Sequence, residues 1–257
     1  MNFPNFPAKY EGQSLLNAQD IIEYRRRLNR LPDIPNLEGV LLCLERGLPR
    51  RMRWKAPVKM AGNMNGDLYA VKKTNNRVAV MTGFGGGAPM VAELAEEFIA
   101  MGAKRLVLMT WGGALQPDLH AGDIVVCGQA IRDEGTSYHY LPAGKTISSC
   151  SELVDRLANS IRLKGGSCTA GCTWTTDAPY RETLAEVRQY QSEGVKTVEM
   201  ESAGLFAIGQ VRDVQTASVV VIMDSLANYA WQAPASLNAI QHSLETVYMA
   251  AIEVLAG

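Results

Sequence analysis

Short apolar runs alternate with amphipathic stretches along most of the chain. Residues 39–44, 106–109 and 216–223 are almost continuously apolar, a pattern typical of strands that are buried on both faces. Residues 89–101 and 236–255 instead carry apolar side chains at helical spacing, which predicts amphipathic helices. Because the two patterns alternate, we expect an α/β protein in which helices cover a central sheet.

Turn and capping residues add elements between these segments. Asn75 and Asn76 separate two strand-like runs and predict a hairpin of residues 67–73 and 77–82. The same signals predict strands over residues 123–130, 167–174 and 195–198, and a helix over residues 151–163 with Ser151 as its cap. Another helix is predicted to begin near Glu201. The side chains expected to face inward are Ala203, Phe206, Ala207 and Val211 in that helix and Leu237, Ile240, Leu244, Val247 and Val254 in the closing helix.

The N-terminal part differs from this alternation. Residues 20–30 predict a helix with a basic end, and a connector with Pro32 and Pro35 follows it. We interpret this helix as solvated or as facing another subunit. The chain then divides into an N-terminal helical extension, residues 1–36, and one domain, residues 37–257. That single domain is predicted to be a three-layer α/β/α sandwich around a central mixed sheet.

Composition restricts the partners. Of the 257 residues 47% are hydrophobic, and 25 basic residues nearly balance 26 acidic ones, giving a net charge of −1. Since no long charged block occurs, neither nucleic acid nor a charged membrane is expected as the main partner. The longest apolar run, residues 217–223, has the length of a strand, and no leader-like pattern begins the chain. We therefore expect a cytoplasmic protein with a small-molecule partner.

The cysteines do not indicate a metal centre. The chain has five, scattered along its length, and an odd, scattered set predicts reduced thiols. None of the three histidines lies at ligand spacing from Cys168 or Cys172. No metal and no resident cofactor are therefore expected.

Two carboxylates lie where apolar strands are predicted to end. Glu201 follows one strand and starts a helix, and a buried carboxylate there needs a partner: a protein cation, backbone N–H groups or the hydroxyls of a sugar. Asp224 ends the strand at residues 216–223. It is either a helix cap or, if it lies beside Glu201, a candidate acid, because like charges in proximity raise one pKa.

Three loops are predicted at the same edge of the sheet. Residues 83–89 contain Gly85, Gly86 and Gly87, whose backbone N–H groups can approach an anion. This loop does not fit the dinucleotide-binding pattern, because no acidic residue ends a strand about twenty residues later. The other two predicted loops are residues 111–116 and 174–180.

Several segments together carry a resemblance to a known family. They are residues 85–97, 113–123 (GALQPDLHAGD), 132–140, 175–183 (TTDAPYRET), 198–203 (VEMESA) and 223–226 (MDSL). In this order and spacing the chain resembles the nucleoside phosphorylase superfamily, of the purine nucleoside and uridine phosphorylase type, from about residue 39 to its C-terminus. The resemblance implies one α/β domain around a distorted, partly barrel-like sheet. It also implies a homo-oligomer, a dimer or a hexamer, that cleaves the N-glycosidic bond of a nucleoside.

The resemblance also assigns roles to particular residues. Met200 and Glu201 match the ribose contacts, and Asp224 matches the acid that protonates or hydrogen-bonds a purine nitrogen in purine-cleaving relatives. The residues that match positions around the base are Gly113, Tyr180 and Pro179, the last in place of a stacking aromatic, and Trp111 is a further candidate to stack on the base. A purine is therefore preferred over a pyrimidine.

The chain departs from the family at the phosphate site. Leu108 replaces the phosphate-binding arginine, Trp111 replaces the threonine that assists it, and the N-terminal phosphate-binding signature is absent. Residues 39–50 offer Glu45, Arg46 and Arg50 instead. The arginine that assists the catalytic aspartate in the family also has no counterpart, because no Arg or Lys follows Arg212.

Three functions remain open from these residues. In the first, Arg46, Arg50 or an arginine of a neighbouring subunit binds phosphate beside the Gly85, Gly86 and Gly87 amides, and the protein is a phosphorylase with inorganic phosphate as co-substrate. In the second, water replaces phosphate, with Glu45 as its activator, and the protein is a nucleosidase. In the third, the protein binds or stores a nucleoside without turnover, although retention of Glu201 and Asp224 argues for an enzyme.

Overall fold

The computed structural model describes residues 4–257, which form seven α-helices, ten strands and four short 3-10 helices. The helices are α1 (Ala18–Arg27), α2 (Leu48–Arg51), α3 (Ala88–Ala100), α4 (Ser151–Leu163), α5 (Leu184–Ser192), α6 (Ser202–Arg212) and α7 (Asn238–Ala256). The strands are β1 (Gly39–Cys43), β2 (Val58–Asn63), β3 (Asp67–Val71), β4 (Val78–Thr82), β5 (Arg105–Ala114), β6 (Ile124–Asp133), β7 (Thr146–Ser148), β8 (Cys168–Thr176), β9 (Thr197–Glu199) and β10 (Gln215–Ser225). No helix within this part of the chain has both the length and the apolar character needed to cross a membrane.

Alternating strand residues divide the core into two layers, one on each face of the sheet. In β5, Leu106 and Leu108 pack with side chains of α3 and α6, whereas Val107 and Met109 pack with side chains of α4 and α7. Neighbouring residues of a strand point to opposite faces, so an apolar run such as β5 serves both layers. The predicted α/β fold with helices on both sides of a mixed sheet is thereby confirmed.

One end of the sheet closes on itself. β5 pairs with β10 and also, near its C-terminal end, with β9, so that β5, β10, β6, β8 and β9 form a ring. Gly112 lies at the crossing, where a Cβ atom would be 2.4 Å from the Val198 carbonyl oxygen. A side chain cannot occupy that space, so a glycine is needed for β9 to approach β5 closely. The closed ring makes the sheet partly barrel-like, as the resemblance implies.

Most predicted elements are present, with shifted ends. The hairpin around Asn75 and Asn76 is confirmed, with β3 and β4 antiparallel. β5 extends to Ala114, and β8 to Thr176, so both predicted loops after these strands begin later than expected. The elements α2, β2, β7 and α5 were not predicted from the sequence.

Three local predictions were wrong. Ser151 is the first residue of α4 rather than its cap, and Cys150, which precedes it, makes no capping side-chain bond. Val211 and Leu237, expected to face inward, are 39% and 53% exposed. Both lie near helix ends, where the helical period no longer decides which side chains the sheet covers.

The N-terminal helix packs on the domain. Ile22 of α1 is fully buried in the same layer as α3. Arg25 Nη1 lies 2.7 Å from Glu97 Oε2 on α3. One face of this helix is therefore covered by its own chain, while the division of the chain at residue 36 stays a prediction.

Candidate active site

The junction between β9 and α6 buries Glu201. The Gly87 N–H donates to its Oε1 at 2.7 Å, and the Thr110 hydroxyl and the Met200 N–H donate to its Oε2 at 3.2 and 3.3 Å. Burial raises the pKa of Glu201, whereas these three hydrogen bonds lower it. A carboxylate offers about four acceptor positions, so one position is left for a hydroxyl of a ligand. The partners that the sequence required for this carboxylate are backbone and hydroxyl donors of the protein.

Glu199, two residues earlier, was not singled out in the sequence. Its Oε2 accepts the N–H groups of Glu201 and Ser202 at 2.8 and 2.7 Å, the first free donors of α6. Its Oε1 accepts the hydroxyls of Thr175 at 2.6 Å and Thr173 at 3.4 Å. Burial and the adjacent Glu201 carboxyl raise the pKa of Glu199. Glu199 therefore fastens the start of the helix to β8 and sets the position of Glu201.

A β-bulge in β10 sets the orientation of Asp224. The register of β10 against β5 shifts between Ile222 and Asp224, so that Asp224 faces Gly113. A Cβ atom on Gly113 would lie 3.0 Å from Asp224 Oδ1. Trp231 Nε1 donates to Asp224 Oδ2 at 2.7 Å. A bulge of this kind redirects a side chain next to a functional site, and here it brings the carboxyl into an open cavity.

That cavity has a volume of about 850 Å³ and gathers much of the predicted site. Its lining includes the predicted residues Trp111, Gly113, Pro179, Tyr180, Met200 and Asp224, and the residues Glu182, Glu199, Tyr229 and Trp231, which were not predicted. Tyr180 is fully exposed at the rim, and Trp111 is half-buried. Among the described residues the lining contains no lysine, arginine or histidine. The cavity is thus an aromatic pocket with three carboxyl groups.

Glu182 is the carboxyl beside Asp224. Burial raises its pKa to about 7, and the negative charges of Asp224 and Glu186 contribute to the same shift. From the sequence, Glu201 was the candidate like charge for Asp224 if the two lie side by side. In the structure Glu201 instead raises the pKa of Glu199, and Asp224 acts on Glu182.

The glycine-rich loop lies on the other side of Glu201. A Cβ atom on Gly86 would be 3.2 Å from Glu201 Oε1, whereas one on Gly85 would meet open space. Gly87 has a φ of 99°, which disfavours any other residue, and its N–H is occupied by Glu201. Arg46 packs at the start of the loop, where its Nε is 3.1 Å from the position of a Cβ atom on Gly83. The loop thus contains two glycines, Gly85 and Gly86, whose amides Glu201 does not bind, and Arg46 lies at its start.

The other candidates for an acceptor site do not line the cavity. Glu45 accepts the Gly47 N–H at 3.3 Å and forms a 4.0 Å ion pair with Arg51. Arg50 Nε donates to the Tyr69 hydroxyl at 3.3 Å. Leu108 is fully buried in the core, so its position offers no surface to a ligand. The structure does not bring Glu45, Arg50 or Leu108 to the cavity.

Signals for the unpredicted residues were present in the sequence. Glu182 and Glu199 both lie inside the segments that carry the family resemblance, in TTDAPYRET and VEMESA. Trp231 follows Asp224 by seven residues in a loop with a second aromatic, Tyr229. The sequence does not indicate which carboxyl groups lie close together in the folded chain.

Comparison with known proteins gives consistent matches. The family model described as "Phosphorylase superfamily" matches residues 53–256. The chain is similar to uridine phosphorylase of Treponema pallidum, with 29% identity over 77% of this chain and 80% of the relative. It is also similar to uridine phosphorylase of Escherichia coli K12, with 26% identity over 67% of this chain and 76% of the relative. A DeoD-type purine nucleoside phosphorylase of Streptococcus gordonii is 29% identical over 62% of this chain and 68% of the relative.

Solved structures share the fold. AMP nucleosidase of Bacteroides thetaiotaomicron superposes with a TM-score of 0.71 and 20% identity, covering 92% of this chain and 96% of that one. Uridine phosphorylase of Vibrio fischeri superposes with a TM-score of 0.69 and 21% identity, covering 85% of this chain and 90% of that one. At such identities the similarity concerns the fold alone.

Proposed function

Because the chain belongs to the phosphorylase superfamily, we propose that it cleaves the N-glycosidic bond of a purine nucleoside and transfers the ribosyl group to phosphate. The observation that carries this proposal is the position of Met200 between two sites. It lines the cavity that contains Asp224, and its N–H donates to Glu201 beside the glycine-rich loop. A base in the cavity and a ribose against Met200 and Glu201 would place the glycosidic bond between them.

The ribose end is supported by the remaining acceptor capacity of Glu201. Sugar hydroxyls donate well to a carboxylate, and such charge-assisted bonds orient the ring. The same negative charge stabilises the oxocarbenium character that develops as the bond breaks. Because Glu201 is held by three donors, little reorganisation is required during the reaction.

The base end is supported by Asp224 and its surroundings. Trp111 and Trp231 offer aromatic faces to a planar base, and Gly113 leaves room beside the carboxyl. A carboxyl group at this position can hydrogen-bond a ring nitrogen of the base, and general acid catalysis at that nitrogen lowers the barrier as the base departs. A purine is preferred because the resemblance matches Asp224 to the purine-type acid.

Phosphate as acceptor is supported by the glycine-rich loop. Within residues 4–257 the amides of Gly85 and Gly86 donate to no protein acceptor, and they precede the N-terminus of the 13-residue helix α3. Free amides at a helix N-terminus attract an anion. The Arg46 side chain, 76% exposed, lies beside the same loop and supplies a cation, although its Nε also lies 3.7 Å from Asp67 Oδ2.

Water as acceptor is the second candidate. It is favoured by the loss of the strand arginine, since Leu108 is fully buried at that position. Glu45, the proposed activator of water, is held by Gly47 and Arg51, and hydrolysis would need it to leave them. The glycine-rich loop therefore supports phosphorolysis better than hydrolysis.

Incubation with a panel of nucleosides, with and without phosphate, tests the proposal. Phosphate-dependent release of a purine base together with ribose 1-phosphate is the expected result. Release of free ribose without phosphate would replace phosphorolysis by hydrolysis. Binding without release from any nucleoside would support the storage function instead. Homo-oligomeric assembly and a cytoplasmic location stay predictions.

A further inference from the structure

Glu182 has unusual surroundings for a carboxyl in a cavity. In the part of the chain that the structure describes, it has no hydrogen-bond donor and no ion-pair partner, and its side chain lines the cavity with Asp224. The carboxyl is more than half buried, and burial without a partner favours its neutral form. The sequence does not reveal this, because Glu182 lies between Arg181 and Thr183, two polar neighbours.

Asp224 accepts a hydrogen bond, whereas Glu182 accepts none from the described residues. Trp231 Nε1 donates to Asp224 Oδ2 at 2.7 Å, which stabilises a negative charge on that oxygen. The negative charge of Asp224 disfavours a second negative charge on Glu182. The proton then resides on the carboxyl that lacks a donor, which is Glu182.

The other charged and titratable groups around Glu182 do not reverse this preference. α5 presents Glu186, which adds negative charge, and β9 presents Glu199 at the cavity wall. Tyr180 and Tyr229 complete the titratable lining. The nearby cation Arg188 lies over the Tyr229 ring, 5.1 Å from its centre.

We propose that Glu182 is a second catalytic residue, the group that carries the proton delivered to the departing base, while Asp224 and Trp231 hold the base against it. This deepens the proposed function and rests on it. The C1′–N bond breaks with its electron pair going to the base, and the proton moves from the Glu182 carboxyl to a ring nitrogen. The acceptor oxygen forms the new bond to C1′, and Glu182 regains a proton from solvent before the next turnover.

The pKa of Glu182 fits this role. A pKa of about 7 leaves a large fraction of the carboxyl protonated near neutral pH, where a general acid is most effective. The rate with a substrate that needs protonation should therefore decline as the pH rises above about 7. The Glu182→Gln variant cannot lose a proton in this range and should lack that decline.

Two substrates separate proton delivery from a purely structural role. Guanosine needs a proton on its departing base, whereas 7-methylguanosine already bears a positive charge on the purine. In Glu182→Gln, kcat/KM for guanosine should fall about 100-fold, and kcat/KM for 7-methylguanosine should change by no more than about threefold. Equal losses with both substrates, or an unchanged pH profile with guanosine, would overturn the proposal.

A second measurement does not need turnover. Carbon-13 NMR of protein labelled at the Glu side-chain carboxyls should contain a resonance of Glu182 that titrates near pH 7, beside that of Glu199, whose pKa is also raised to about 7. The Glu182 resonance should be absent in Glu182→Gln and should titrate at lower pH in Asp224→Asn. Titration of Glu182 in the ordinary range would overturn the proposal. If Glu182 titrates as expected but wild-type protein cleaves no nucleoside, the proposed function fails and the protonated pair remains.

A matched control isolates the position of the charge. Glu193→Gln makes the same substitution on an exposed residue at the C-terminal end of α5, where Glu193 pairs with Lys145 at 2.7 Å. It should retain the wild-type rate ratio of the two nucleosides and the wild-type pH profile. A similar loss in this variant would mean that net charge, rather than proton delivery, accounts for the effect.

Discussion

Two carboxyl pairs lie at the same edge of the sheet, in opposite surroundings. Glu199 accepts four hydrogen bonds and Glu201 accepts three, from backbone and hydroxyl donors of β5, β8, α6 and the glycine-rich loop. Across the cavity, Asp224 accepts one hydrogen bond, from Trp231, and Glu182 accepts none from the described residues. The first pair is held in place, whereas the second pair is left with unmet acceptor capacity.

The difference indicates that the two carboxyl pairs have different roles. A carboxyl group that is surrounded by fixed donors keeps its geometry, which suits binding of a sugar. A carboxyl with few donors in a half-buried cavity can gain or lose a proton near neutral pH, which suits acid catalysis. The substitutions below test this contrast, beginning with the largest expected effect.

Removal of the fixed carboxylate should have the greatest consequence. Glu201→Ala deletes the acceptor for ribose hydroxyls and leaves the N–H groups of Gly87 and Met200 without a partner. We expect kcat/KM for base release to fall at least about 1,000-fold, whichever acceptor is used. Near-wild-type release in this variant would show that the ribose binds elsewhere. Glu193→Ala, on the exposed surface, serves as the control.

Asp224→Asn weakens the second pair with little change in shape. The Trp231 N–H can still donate to the amide oxygen, so the geometry is retained while the charge is lost. Purine release should fall about 100-fold, measured as kcat/KM at neutral pH. Trp231→Phe, which keeps a ring and removes the N–H, should cause a smaller loss. An unchanged purine rate in Asp224→Asn would exclude Asp224 from the chemistry.

Glu199→Gln tests whether the fixed pair is structural. A glutamine has one acceptor oxygen, so its amide nitrogen faces either the N–H groups of Glu201 and Ser202 or the Thr175 hydroxyl. At least one buried donor therefore loses its partner. We expect a loss of about 2 kcal/mol in the free energy of unfolding, measured by urea denaturation. Glu186→Gln, at the start of α5, is the matched control, because a glutamine still completes that capping box. Equal stability of both variants would contradict the role of Glu199.

The smallest expected effect is on the pH dependence of the free energy of unfolding, and it is tested by Glu182→Gln. The pKa of Glu182 is raised from its ordinary value of 4.5 to about 7, so the folded state disfavours ionisation and loses stability as the pH rises between these values. Glu182→Gln removes this cost. After allowance for solvent screening, we expect a gain of roughly 1 kcal/mol at pH 8 and none at pH 4. Thermal unfolding at the two pH values measures it, and an equal gain at both would rule out ionisation as its cause.

Much of the scaffold and part of the site follow from local patterns. The helix over residues 151–163 has the predicted bounds, because its apolar side chains recur at helical spacing and Gly165 follows its end. Glu201 was identified because it interrupts an apolar stretch at a strand end, and it is buried there. These features depend on neighbours a few residues apart.

Other features depend on contacts between distant segments. The sequence offered Glu201 as the like charge beside Asp224 only if the two lie together, and in the structure the charge of Asp224 acts on Glu182. The order of the strands and loops determines which carboxyl groups approach one another. Trp231 reaches Asp224 because β10 pairs with β5 and contains a bulge. The closed ring of strands requires β9 to cross β5 at Gly112. None of these contacts leaves a periodic signal in the chain.

The sequence by itself determined the fold class, the family and the residue types at the ends of the strands. Hydrophobic periodicity specifies elements, and family motifs identify positions. Only the tertiary structure decided which carboxyls are held by donors and which are left without them. The physical reason is that the pKa of a carboxyl and the strength of its hydrogen bonds depend on burial and on nearby groups in space. Glu182 and Glu201 are both glutamates near strand ends, and their environments alone make one a candidate acid and the other a candidate sugar ligand.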